Sequence, residues 1–381
     1  MRPGERQMNA GKLDVVLSTA AELRPAPGFV AMASAPGGRP YLRAFGRGST
    51  DADEAMAADS IFWIASFTKL VTSIVALQLI EDGAFALDQT VASILPDFAD
   101  LPILEGFDAT GAPRLREATD APTIRHLLTH TSGCGYAFMD PNLARWAEIS
   151  GADILEARTQ PRLFDAGARW QYGVSSEWLG TAIEAVTGEN LEAVFRRRVF
   201  GPLAMEDTTF ALDPTQKPRL ARLHARAPDG ALTPIELPLP PPPHFSSGGG
   251  GLYSTAPDYM RLLRALLDGD ILNADARGML FSNEIGELDA GVTGSAITAF
   301  ANPFEPLPGQ TKRWSLGLMI NSDSVAGGRA ACSGAWAGLA NCYYWADRTN
   351  GVAGILMSQV LPFADPQILD LFSAFERAVY A

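Results

Sequence analysis

The 381-residue chain predicts an α+β fold: one antiparallel sheet flanked by helices and interrupted by a mostly helical middle. Three observations predict it. Amphipathic patterns stand near the two termini, over 11–24 and 365–381. Short strand-like runs follow the first and precede the second, with Asn350-Gly351 as a strong hairpin signal. Between them, helical periodicity is broken often by proline and glycine. The expected division is a discontinuous sheet domain, 1–83 with 246–381, and a mostly helical domain over 84–245.

Taken in order, the first helix places Leu13, Val16, Leu17 and Ala20 on one side. Gly28–Ser34 and Tyr41–Phe45 read as strands around the turn Pro36-Gly37-Gly38, and Asp51–Asp59 is polar connection. Ile61, Phe62 and Trp63 read as the end of a buried strand. From Ser66, the residues Leu70, Ile74, Leu77 and Ile80 recur at spacings of three and four, and Gly83 stops the helix. Apolar side chains occur all round it, so it should be buried on all sides. Its length could span a bilayer. But Lys69 would then lie inside at a cost of roughly 3 kcal/mol, and the flanks are acidic Asp59, Glu81 and Asp82. No membrane span is expected.

Leu87–Gly201 reads as mainly helical and irregular. Thr123–Thr131 is a short helix stopped by Ser132-Gly133, and 142–157 and 176–200 are longer ones. His126 and His130 have metal-ligand spacing, but there is no H-E-x-x-H and no third ligand, so no metal is expected. The proline-rich run 234–244 must be extended or polyproline II. In the next helix, Thr255 and Asp258 form a capping box with Pro257 in the first turn. The preceding glycines, 248–251, lack the strand and the G-x-G-x-x-G spacing of a dinucleotide loop, so no cofactor is expected. Trp314–Ile320, Leu339–Trp345 and Val352–Gln359 read as strands. The last helix turns Ile368, Leu371, Phe372 and Phe375 inward.

Composition narrows the function. A net charge of −13 argues against a nucleic-acid partner, which would want a basic face. Cys134, Cys332 and Cys342 show no C-x-x-C and no disulfide framework. The N-terminus has no apolar h-region, which gives the expectation of a cytoplasmic, thiol-reduced protein.

The chemistry concentrates at Ser66. Lys69 follows three residues later, one helical turn away on the same face. A lone buried ammonium is costly unless something pairs with it. Ser66 also stands at the expected helix start, where free N–H groups and the dipole favour developing negative charge. S-x-x-K thus gathers a hydroxyl nucleophile, an amine and amide donors. The bland alternative is a serine N-cap with a snorkelling lysine. There is no G-x-S-x-G elbow, so the base could be a lysine or a tyrosinate. Tyr172 is the candidate tyrosine, just ahead of a helix in RWQYGVSSEWLG, and a neighbouring ammonium favours the phenolate of a tyrosine.

Ser66-Phe67-Thr68-Lys69, then His126-Leu127-Leu128-Thr129-His130-Thr131-Ser132-Gly133, Tyr172-Gly173-Val174, the run Gly248–Thr255 and Trp336-Ala337-Gly338 form an ordered set over about residues 12–375. This set resembles the serine β-lactamase and penicillin-binding-protein superfamily, and within it the class C β-lactamase-related family VIII carboxylesterases. The resemblance implies a β-lactamase/transpeptidase-like fold with the site in the cleft between the sheet domain and the helical domain. It implies Ser66 as acyl-accepting nucleophile, Lys69 and Tyr172 sharing the proton work, and the backbone N–H groups of Ser66 and Leu339 as oxyanion hole. Trp336 and Gly338 would line the substrate pocket, with Tyr136 and Val174 as further candidates. Val174 stands where asparagine completes Tyr-x-Asn, and Trp336-Ala337-Gly338 where Lys-Thr-Gly would be. Both departures favour a serine carboxylesterase on small, short-chain esters over a β-lactamase or D-amino-acid peptidase. An acyltransferase to an acceptor other than water, and a non-catalytic binding or sensing member, stay open. The expected partner is a small-molecule ester; oligomeric state is open.

Overall fold

Apolar segments from both ends of the chain meet in one seven-stranded antiparallel sheet. The computed structural model describes residues 8–23, 25–154, 160–236 and 247–381. The strands are β1 (Gly28–Ser34), β2 (Tyr41–Gly46), β3 (Lys312–Trp314), β4 (Met319–Asn321), β5 (Gly334–Gly338), β6 (Cys342–Asp347) and β7 (Val352–Met357), in the spatial order β2-β1-β7-β6-β5-β4-β3. The N-terminal hairpin joins the C-terminal meander where β1 pairs β7, Val30 opposite Met357 through Ser34 opposite Ala353.

Helices cover both faces of the sheet, so β1, β6 and β7 are buried at every residue. Successive side chains of a strand point to opposite faces. On β6, Tyr343 and Trp345 accordingly meet Phe372 and Phe375 of the C-terminal helix. Tyr344, between them, packs on Phe67 and Tyr259 at the other face. The helices concerned are α1 (Ala10–Glu22), α2 (Thr68–Glu81), α3 (Ser175–Thr187), α4 (Ala256–Asp268) and α5 (Pro366–Tyr380). Thr255 caps α4 by accepting the N–H of Asp258 at 3.2 Å, and Asp365 caps α5. In α2 every residue from Thr68 to Leu77 is buried, as is Leu79. It is the internal helix between the sheet and α3. Among the described residues no helix is long and apolar enough to cross a membrane.

Several expected elements break where the backbone turns. Trp314–Ile320 is the β3–β4 hairpin rather than one strand, bent at Ser315–Leu318 with Gly317 at φ 149°. Residues 339–341 are the tight link between β5 and β6, where Asn341 takes φ 59°, and the strand begins at Cys342. The 176–200 helix stops at Gly188 (φ 69°) and resumes as Leu191–Phe195 followed by one wide π-turn. The helix expected over 142–157 spans Pro141–Ser150, ended by Gly151; 155–159 lie outside the described residues. An unexpected hairpin, Ile103–Phe107 with Pro113–Arg116, sits in the helical region; its buried residues, Ile103 and Leu104, are adjacent, so no apolar–polar alternation announces the first strand. Of the proline-rich run, Pro234 closes a small strand paired with His224–Arg226, and 237–246 lie outside the described residues.

Candidate active site

The short strand Phe62–Trp63 pairs with Tyr253–Ser254 and delivers the chain to a single 3-10 turn, Ala65–Phe67, that runs directly into α2. Ala65 takes φ 43°, a left-handed conformation that costs a residue with a Cβ. The surroundings hold it there. Ile64 N–H donates to the Leu252 carbonyl at 3.0 Å, Thr68 Oγ1 donates to the Ala65 carbonyl at 2.7 Å, and Tyr259 donates to the Phe67 carbonyl at 2.9 Å. Ser66 is the second residue of this turn. Its N–H therefore has no intrahelical acceptor and points with the helix dipole.

Lys69 lies one turn on and is 2% exposed. An ammonium has three N–H donors and no acceptor. Each donor is met: Lys69 Nζ donates to Ser66 Oγ at 3.2 Å, to the Tyr136 hydroxyl at 2.8 Å and to the Gly249 carbonyl at 2.6 Å. Tyr136 in turn donates to Glu177 Oε1 at 2.7 Å. Burial first, and then the Glu177 charge, holds the Tyr136 phenol well above the usual tyrosine range, so it stays a neutral donor. The glycine run contributes through its backbone. A Cβ on Gly249 would fall 2.2 Å from Glu177 Oε1, so only glycine lets that carbonyl reach Lys69 beside the carboxylate.

Tyr172 stands just before α3 and beside Tyr136, their ring centroids 5.5 Å apart, with Lys69 Nζ 4.9 Å from the Tyr172 centroid. Trp336 of β5 donates its indole N–H to the Tyr172 oxygen at 2.9 Å. His130 packs against the Tyr172 ring, centroids 5.0 Å apart. Burial, and then the Lys69 charge, pushes that imidazole well below the usual histidine range, so His130 is a neutral packing partner.

Ser66, Tyr172, Gly338 and Leu339 share one cleft of about 280 Å³, its solvent-open mouth included. Trp336, Phe138, Met139 and Phe363 make the rest of its wall largely apolar and aromatic. Gly338 explains how β5 comes so near the serine: a Cβ there would lie 2.5 Å from the Ile64 carbonyl oxygen. Leu339 follows the last paired residue of β5, Gly338 opposite Cys342.

Two expected pocket residues sit elsewhere. Tyr136 is behind Lys69, because its hydroxyl is held between Nζ and Glu177. Val174 is 1% exposed at the cap of α3 and belongs to the apolar core. His126 and His130 do not converge: His126 Nδ1 accepts the Thr123 N–H at 3.1 Å while His130 lies among Trp170, Tyr172 and Trp314. Among the described residues no group of three or more His, Cys, Asp or Glu could hold a metal ion. Sequence reasoning missed Glu177 and the Gly249 carbonyl. A charged residue beside Trp178 and Leu179, on the face of a helix that must be buried, was the available signal for Glu177.

A family model described as Beta-lactamase matches residues 17–377. Monacolin J acid methylbutanoyltransferase of Aspergillus terreus is 32% identical, over 97% of this chain and 95% of its own length. Lovastatin esterase of Penicillium rubens is 30% identical, over 84% of this chain and 85% of its own. Simvastatin synthase (LovD) from Aspergillus terreus, solved as a LovD6 mutant, superposes with a TM-score of 0.85 at 30% identity, covering 97% of this chain and 93% of that one.

Proposed function

The chain belongs to the β-lactamase family, and from that membership we propose that it is a serine carboxylesterase that cleaves small esters through an acyl-enzyme on Ser66. One observation carries the reading: Ser66 Oγ lies 3.2 Å from Lys69 Nζ at the start of a buried helix, in a cleft shared with Tyr172. Because all three donors of the Lys69 ammonium are engaged, Tyr172 enters the step as the phenolate: the proton of Ser66 passes to its oxygen, giving the neutral phenol. That oxygen already accepts the Trp336 N–H, which stabilises negative charge on it. Ser66 Oγ bonds to the ester carbonyl carbon, and the carbonyl electron pair moves onto its oxygen. The N–H groups of Ser66 and Leu339 receive that oxyanion. Collapse breaks the bond to the alkoxy group, which leaves as the alcohol with the proton from Tyr172. Water then repeats the sequence on the acyl-serine, releasing the acid and restoring Ser66.

A second reading differs only in the last step: an alcohol replaces water and receives the acyl group. A relative named as an acyltransferase supports it along 97% of this chain, just as a relative named as an esterase supports the first. The test is one experiment with p-nitrophenyl butyrate. An acyl adduct on the Ser66 peptide, p-nitrophenol release and butyrate formation support hydrolysis. A butyrate ester formed preferentially on an added alcohol supports transfer. If neither adduct nor release occurs, both readings fall.

Esters are expected to win over β-lactams. Trp336 lines the cleft and offers an indole where a lysine would offer a point charge to the lactam carboxylate. That missing charged hydrogen bond is worth roughly 1.5–3 kcal/mol. The expected kcat/KM for p-nitrophenyl acetate or butyrate therefore exceeds that for nitrocefin by about 10-fold or more. A clear lead for nitrocefin would replace the esterase reading with the lactamase one.

A further inference from the structure

Among the described residues, the acid closest in role to the Ser66–Lys69 pair is one that touches neither of them. Glu177 is 5% exposed, on the first turn of α3, and its Oε1 accepts the Tyr136 hydroxyl at 2.7 Å. Tyr136 is itself buried and accepts Lys69 Nζ at 2.8 Å. The second oxygen, Oε2, is buried without a hydrogen-bond partner among the described residues. A carboxylate left half satisfied in the interior is a cost that packing alone does not explain. Gly249 is pressed against the same carboxylate so closely that no side chain fits, and its carbonyl is the third acceptor of Lys69. Glu177 thus touches both groups that anchor Lys69 away from the serine.

We propose that Glu177 is a positioning residue for acyl transfer: through Tyr136 it supplies the counter-charge that holds Lys69 as a donor aimed at Ser66. The inference rests on the acyl-serine reading above. Without Glu177, the Tyr136 hydroxyl is free to rotate its proton toward Lys69, where it competes with the ammonium instead of accepting from it. Lys69 then loses one of its two anchors and its reach to Ser66 Oγ becomes one arrangement among several.

The test measures acylation directly, as the burst of p-nitrophenol and the rate of labelling by a fluorophosphonate. Wild type, Glu177→Gln, Tyr136→Phe, the double variant and Glu177→Ala are compared. We expect Glu177→Gln and Tyr136→Phe each to slow acylation about 10- to 100-fold with KM changed less than threefold, and the double variant to be no slower than the worse single. Formate added to Glu177→Ala is expected to restore part of the acylation rate, which a purely structural defect would not allow. Acylation within twofold of wild type in Glu177→Gln overturns the proposal, as do multiplicative losses in the double variant. Should Glu177→Gln and Glu177→Ala fail to fold, Tyr136→Phe carries the same decision: an unchanged acylation rate overturns the proposal. Absence of labelling at Ser66 in the wild type would instead remove the acyl-serine reading itself, so the two failures are distinguishable.

Discussion

A serine hydroxyl is a weak nucleophile until a neighbour takes its proton, and here Lys69 and Tyr172 flank Ser66 with different capacities. Lys69 spends its donors on Ser66, Tyr136 and Gly249, while the Tyr172 oxygen accepts the Trp336 N–H. Replacing Ser66 by alanine deletes one oxygen from a partly exposed position. Ser66→Ala is expected to lower kcat by about 10⁵-fold or more and to leave the thermal midpoint almost unchanged. Turnover of p-nitrophenyl butyrate beside a circular-dichroism melt checks both halves. Tyr172→Phe and Lys69→Ala are each expected to slow acylation strongly. Because they act as one proton-handling unit, a double-mutant cycle on kcat/KM should show little added loss; simple additivity would separate their roles. Tyr172→Phe also strands the buried Trp336 N–H, at a cost of about 1–3 kcal/mol in stability by urea titration. The serine–lysine pair was legible in the sequence because its chemistry is local, three residues apart on one helix. Glu177 was not, because its partners Tyr136 and Gly249 come from other segments and helical spacing says nothing about which buried charge has a partner.

Elements carry the site by close approach, as between β5 and the serine turn. At Gly338 a Cβ would lie 2.5 Å from the Ile64 carbonyl oxygen, a backbone atom that cannot swing aside. Gly338→Ala must therefore push β5 away from the turn, and Leu339 moves with it. Losing one oxyanion donor costs about 100- to 1,000-fold in kcat. We expect a loss of that order with KM nearly constant and a lowered thermal midpoint; full activity in Gly338→Ala would remove the Leu339 N–H from the proposed oxyanion hole. The same elements show what a sequence reveals about structure. The Asn350-Gly351 hairpin and the terminal helices were legible, since turn chemistry and one-sided apolar faces leave a periodic trace. The β3–β4 hairpin was not, because Leu316 and Leu318 inside its turn are as buried as the strands, so polarity does not mark the bend. Pro141–Ser150 and Leu191–Phe195 end at glycine or a widened turn, where periodicity continues past the true stop.

At the scale of the molecule, the sheet is covered on both faces and its core continues into the helical region, so ionisable groups caught inside couple folding to pH. Three histidines are buried or partly buried with their proton affinity lowered, each chiefly by burial: His126, His130 and His224. The Lys69 charge adds to this at His130, whereas Asp120 at His126 and the Arg222 carbonyl and Asp51 at His224 oppose it. Two are fixed as acceptors. His126 Nδ1 accepts the Thr123 N–H at 3.1 Å, and His224 Nε2 accepts the Thr50 N–H at 3.2 Å. A proton on either nitrogen turns an acceptor into a donor facing a donor. The unfolded chain binds these protons near pH 6.5 while the folded chain resists them, so stability must fall as pH drops below about 6.5. The slope reaches about 1.4 kcal/mol per pH unit for each histidine, until the folded values are passed. Burial is the largest single influence on Asp120 and Asp347 and raises both, but hydrogen bonds acting together hold their carboxyls below the usual range: Arg162 and the Ala166 N–H at Asp120, and Asn350, the Ala330 N–H and Tyr380 at Asp347. Their contribution is complete above about pH 4 and is lost only as pH falls further. A two-stage acid profile is therefore expected: a first decline below about pH 6.5 set by histidines, then a steeper one below about pH 4 set by carboxylates. Urea midpoints at pH 7.5, 6.0, 5.0 and 4.0 would trace it. His126→Asn and His224→Gln, which keep an acceptor near the same place without a titrating ring, should together flatten the first stage. A midpoint that stays constant from pH 7.5 to 5.0 in the unaltered protein would mean that these rings accept protons in the folded state as readily as in the unfolded one, against their burial and their bonded N–H partners.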